Sequence, residues 1–153
     1  MSHPAAIEAP APPSGGIITS FARLVGGATF LYGVLGVIPG IVTNYDQLGF
    51  FHSGATLFGL FTTSILSSAL LMTFGLIVLS FAANPKQGHK CVVWLGLAYL
   101  VAGIAGAGLV VNSPSPVLAV NPAVNWLHIV LGLGILVVSK GVKDKYQSSK
   151  GVF

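Results

Sequence analysis

Residues 56–111 read TLFGLFTTSILSSALLMTFGLIVLSFAANPKQGHKCVVWLGLAYLVAGIAGAGLVV, and this stretch decides the fold. It holds two apolar runs parted by a short polar turn. The first runs from about Thr56 to Ala83 and stops at Asn84-Pro85; the second runs from about His89 to Val111. A helix crossing the hydrocarbon of a bilayer needs about 20 mostly apolar residues at 1.5 Å each. Both runs reach that length, and tilt absorbs the excess of the first. The turn carries Lys86 and Lys90, which belong in water or among headgroups.

The pattern repeats on both sides. Upstream, an apolar span from about Ile17 to Ile38 ends at Pro39-Gly40, a strong stop. The following IVTNYDQLGFFHSGA, residues 41–55, carries Asn44, Asp46, Gln47 and His52 and reads as an interfacial loop. Downstream, Pro114 and Pro116 close the third span, and a fourth opens at Asn121-Pro122 and continues to about Lys140. Asn caps a helix and Pro fits its first turn. Spans at 17–38, 56–83, 89–111 and 122–140 predict an all-α integral membrane bundle of four transmembrane helices occupying residues 17–140. Barrel strands would alternate with period two; these runs are apolar on every face. Residues 1–16, MSHPAAIEAPAPPSGG, read as a disordered or extended proline-rich tail. The tail lacks the basic start of a secretory signal. Residues 141–153 read as a basic cytoplasmic tail.

Composition agrees. Charged residues make up 7% of the 153, and hydrophobic ones 54%, against roughly 25% charged in an ordinary soluble domain. A water-facing surface cannot be covered with so few polar groups, which excludes a soluble globular enzyme. The net charge of +4 comes from cations beside apolar runs, so lipid headgroups are the expected partner and nucleic acid is not. Cys91 is the single cysteine, which excludes an internal disulfide and a paired-thiol metal site.

The cations also predict orientation. Arg23, Lys86, Lys90, Lys140, Lys143, Lys145 and Lys150 fall on one side, and the connections around Asp46 and Pro114 hold no Lys or Arg. The positive-inside rule places that side, with both termini, in the cytoplasm. Arg23 lies in the opening turns of its span, where its stem snorkels outward. Trp94 near the inner end and Trp126 near the outer end suit interface belts, or serve as plain packing residues.

Twenty glycines, most of them inside the spans, predict close helix packing, because small residues let backbones approach in lipid. The stripes are Ala98, Ala102 and Gly106, flanked by Gly103 and Ala107; Gly26, Gly33, Gly36 and Gly40; Ser64, Ser68 and Gly75; and Gly132. They serve the internal bundle, or some of them also dock another protein.

Residues that could carry chemistry are few. No span holds paired carboxylates, a nucleophile with a base, or a two-His metal spacing, so neither a catalytic set nor a metal site is expected. His128 follows Asn125 by three and precedes Gly132 by four, so the three share a helix face. It reads as an interhelical hydrogen-bonding group or as an axial ligand to haem iron or chlorophyll magnesium, although the sequence requires no cofactor. His52, beside Phe50 and Phe51, reads as interfacial, and Tyr32 and Tyr99 as lipid-facing or core.

Three stretches then stand out together: FLYGVLGVIPGI at 30–41, LFGLF at 57–61 leading to GLIVL at 75–79, and VNWLHIVLGLGIL at 124–136. In order and spacing they resemble the bacterial four-helix membrane proteins of domain-of-unknown-function family 4383, over roughly Phe21 to Val138. Asn-Trp-Leu-His at 125–128 is the most specific element. The resemblance implies four membrane helices and no particular activity. Family members often carry a His-Asn pair and a further His in the second helix; the matching positions here are Ser67, Ser68 and Leu71. That departure favours a packing role for His128.

The resulting expectation is a non-catalytic accessory subunit packed against other membrane protein subunits, in a bacterial plasma membrane or a thylakoid membrane. Because family members occur in photosynthetic and other bacteria, the resemblance points to photosynthetic or respiratory energy conversion as its setting. The competing readings are a chlorophyll- or haem-binding protein using His128 and a small-solute channel or transporter. An enzyme acting on lipid through Asp46 and His52 is a weaker fourth.

Overall fold

The computed structural model describes residues 16–112 and 119–149. Helix α1 spans Gly16–Leu35, α2 Ile65–Phe81, α3 Pro85–Asn112 and α4 Pro122–Ser149. Three short strands, β1 (Val42–Thr43), β2 (Thr56–Leu57) and β3 (Phe61–Thr62), form an antiparallel sheet between α1 and α2. The N-terminal tail up to Gly15, the prolines at 114 and 116, and Lys150 lie outside the described residues.

Asn84 and Pro85 make the turn between α2 and α3. The Asn84 side-chain oxygen accepts from the backbone N–H groups of Lys86 (3.1 Å) and Gln87 (3.3 Å), and Pro85 takes the first helical position, where no donor is missed. Asn121 repeats the device for α4, accepting from the Val124 N–H at 2.8 Å. At 1.5 Å per residue, the 28-residue helices α3 and α4 are each about 42 Å long. Helices α1, α3 and α4 are long and apolar enough to cross a membrane, while α2 is apolar but shorter.

The second helix differs from the expectation. It begins at Ile65 rather than Thr56. Phe58 (φ 55°) and Gly59 (φ 72°) turn the chain back, and the Leu60 N–H donates to the Leu57 carbonyl at 3.1 Å. Two consecutive positive φ angles make a tight hairpin turn and end any helix. Hydropathy does not register this, because a half-buried hairpin of Thr, Leu and Phe is as apolar as a helix. The sheet caps one end of the bundle, burying Val42, Ala55 and Leu57 against Tyr32, Leu35 and Phe61.

The helices pack as two pairs. On α1, a methyl group added to Gly33 would meet the Met72 nitrogen and the Ser68 carbonyl of α2, each at 2.7 Å, while Gly26 faces Val78 nearer the other end. On α3, Gly96 faces Ile135 and Leu136 of α4, and Gly103 faces Ile129. Numbers rise along one helix as they fall along its partner, so both pairs are antiparallel. The pairs join through a core of Ala22, Val25, Val78, Val92, Leu95 and Tyr99. This connectivity brings Arg23, Lys86, Lys90, Lys140, Lys143 and Lys145 to the same end, opposite the sheet. His89 and Ser139 lock α3 to α4 there, with the imidazole Nε2 3.0 Å from the Ser139 hydroxyl and 3.1 Å from its carbonyl.

Candidate functional site

A cleft lies where the two helix pairs part, between α2 and α3 at the capped end. Its volume is about 250 Å³. Leu70 and Phe74 of α2 and Ala102 and Leu109 of α3 line it and are exposed on the outer face of the bundle, so it opens sideways, toward lipid. Leu71, Leu95 and Ala98 form its deeper wall, while Thr62, Thr63, Ser64 and Ser67 stand at the rim beside the cap. From Ser64 to Phe74 is about 15 Å along the helix axis.

Most rim hydroxyls are already engaged. Ser64 and Ser67 form a reciprocal cap: the Ser67 N–H donates to Ser64 Oγ at 3.1 Å, and the Ser64 N–H donates to Ser67 Oγ at 2.9 Å. The N–H groups of Ile65 and Leu66 donate to the Gly49 and Phe50 carbonyls of the loop. The first turn of α2 therefore has its donors satisfied and offers no anion site. Thr63 donates to the Gly36 carbonyl at 3.2 Å and lies 3.1 Å from Ser68 Oγ.

The side chains of Tyr32, Thr62 and His128 also line the cleft, and none makes a hydrogen bond to a described residue. The His128 ring lies 5.2 Å from that of Tyr99, tilted by 56°. Its Nε2 is fully covered, so axial ligation through that atom would require the ring to leave this packing. The cleft falls just below the roughly 300–1,000 Å³ of sites that enclose drug-sized ligands. Asn125, one turn before His128, is 2% exposed and presses on Gly106 of α3; neither of its amide atoms has a hydrogen-bond partner among the described residues. No lining residue carries a formal charge, and among the described residues no three His, Cys, Asp or Glu side chains gather to hold a metal.

A second, more open cleft lies on the other side of the junction, between α1 and α4, lined by Leu24, Ala28, Phe58 and Leu131 among others. Tyr32 and Tyr99 line both clefts and form the partition between them.

The structure thus separates the residues singled out from sequence. Ala98, Ala102, Gly106, Ser64 and His128 line one cleft. Gly33 and Gly36 meet Ser68 in the α1–α2 seam, and Gly132 meets Gly96 in the α3–α4 seam. Arg23, Lys86, Lys90, Lys140 and Lys143 stand at the far end with exposed side chains. Trp94 and Trp126 lie on the outer surface, 64% and 66% exposed. Tyr32, Tyr99 and Thr62 were not assigned to a site by the sequence reading. A tyrosine in the middle of an apolar span was the available signal, since a buried phenol usually finds a partner.

Fold and site together define an integral membrane protein, an α-helical bundle with an uncharged cleft open to the side. The family model described as "Domain of unknown function (DUF4383)" matches residues 20–140, and the chain belongs to that family. No curated protein and no solved structure matches the chain.

Proposed function

We propose that the protein is a non-catalytic accessory subunit of a larger membrane complex, and that it holds an amphiphilic molecule in the cleft between α2 and α3. The carrying observation is the lateral cleft itself. Ala98 and Ala102, at helical spacing, face this opening instead of a neighbouring helix of the same chain. Small residues left uncovered on a membrane helix admit a close neighbour, whether chain or helix. The lining holds no carboxylate, Lys or Arg, and its one imidazole has Nε2 fully covered, which supports binding over acid–base chemistry at a reacting atom.

Gentle solubilisation from the native membrane tests the accessory role. The chain is expected to migrate with larger subunits on a native gel and to release a small amphiphile on solvent extraction. A bare monomer under every mild detergent would overturn the subunit role.

A further inference from the structure

We infer that the cleft selects a neutral amphiphile with one aliphatic tail and a carbonyl-bearing head, the chemistry of an isoprenoid quinone. This rests on the proposed binding role of the cleft and specifies its occupant. A phospholipid head brings a phosphate, and no Lys or Arg lines the cleft to pair with it; the donors of the α2 N-terminus are occupied as well. A buried charge without a partner is strongly disfavoured. The head is therefore neutral.

Hydrogen bonding comes next. The groups at the cleft without a hydrogen bond to a described residue are the hydroxyls of Tyr32 and Thr62 and, on His128, the ring nitrogen Nδ1, since Nε2 is fully covered. Each can donate as well as accept, so a head that carries acceptor oxygens and no hydrogen of its own to give finds a donor at each of them. The tilted Tyr99–His128 ring pair gives a flat head an aromatic surface to lie against. Shape settles the tail. Leu70, Leu71, Phe74 and Leu95 line the apolar side, and about 250 Å³ accommodates one chain rather than two. The sideways opening through Leu70 and Ala102 lets that chain enter from the bilayer without crossing water.

The test uses the full chain, purified in detergent and exchanged into nanodiscs. Three probes are compared by native mass spectrometry: a benzoquinone with a short isoprenoid tail, a long-chain primary alcohol, and phosphatidylglycerol. The wild type is expected to retain the quinone saturably and one per chain, the alcohol at least tenfold more weakly, and phosphatidylglycerol not at all. Ala102→Phe fills the mouth of the cleft from an exposed position and is expected to abolish retention. Leu70→Trp does the same from the facing wall and serves if the first variant is not monodisperse. His128→Phe keeps a flat ring without donors and is expected to weaken the quinone about tenfold, the loss of one hydrogen bond of about 1.4 kcal/mol. Gly134→Ala, at an uncrowded position, is expected to bind as the wild type does. Phosphatidylglycerol retained as strongly as the quinone, and displaced by Ala102→Phe, would overturn the carbonyl assignment and leave a lipid cleft. Retention of no probe, or retention indifferent to both blocking variants, would overturn the site itself.

Discussion

The Tyr99 hydroxyl donates to Thr29 Oγ1 across 3.3 Å, joining α3 to α1 inside the bundle. Each helix pair is held by its own glycine seam, and this bond crosses the looser junction between the pairs. Polar contacts between membrane helices are worth about 0.6 kcal/mol on average and at most about 1.7. Tyr99→Phe and Thr29→Val are therefore expected to be coupled by about 0.6 kcal/mol in a double-mutant cycle, read from unfolding in denaturing detergent. Strictly additive losses would show that the bond carries no load.

The α3–α4 seam predicts a larger effect from a smaller change. A methyl group on Gly132 would lie 2.7 Å from the Leu100 nitrogen and 2.8 Å from the Gly96 carbonyl, whereas one on Gly134 meets nothing within 4 Å. Backbone cannot rotate away as a side chain can. Gly132→Ala is expected to destabilise by about 1–3 kcal/mol, the usual range for an overpacked core. Gly134→Ala, two residues along, is expected to be neutral or slightly stabilising, because Ala is the better helix former. Equal thermal stability of the two variants would contradict the seam.

Much of this architecture was legible before any coordinates. Asn84-Pro85 and Asn121-Pro122 marked helix boundaries because their chemistry is local: a side-chain acceptor reaches the first turn, and proline gives up a donor that the turn does not use. The glycine stripes announced close packing, but spacing could not say which stripe met a helix and which met a cleft. Gly96 and Ala102 are both small residues on α3; one lies under Leu136 and the other faces outward. That difference depends on how the two pairs dock, which is set by distant contacts. The hairpin at 56–62 was hidden for another reason. Its residues are as apolar as a spanning helix, and only the positive φ of Phe58 and Gly59 separates the two.

That turn yields its own test. Phe58 occupies a left-handed conformation (φ 55°) with its side chain 65% exposed. A residue with a Cβ is strained there by about 1–2 kcal/mol, and asparagine tolerates the region best after glycine. Phe58→Asn is expected to be more stable than Phe58→Ala by about 1 kcal/mol. Both variants lose the same aromatic ring, so the difference isolates the backbone. Thermal unfolding of the two in one detergent checks it, and an equal midpoint would place the turn in another conformation.

Orientation closes the set, since the fold gathers Arg23, Lys86, Lys90, Lys140, Lys143 and Lys145 at one end without saying which compartment that end faces. Moving such an end across a membrane is opposed by the cost of its charges in hydrocarbon and by the inside-negative potential. A single reporter cysteine, with Cys91 replaced by Ala, reads the outcome in intact cells. Gln87→Cys, exposed in the first turn of α3, is expected to resist a membrane-impermeant maleimide until the cells are opened. Asp46→Cys, exposed in the cap, is expected to react at once. The reverse pattern would put the lysines outside and the sheet-capped end of the bundle in the cytoplasm. The cleft between α2 and α3 would then open toward the cytoplasmic leaflet, and its occupant would have to be sought there.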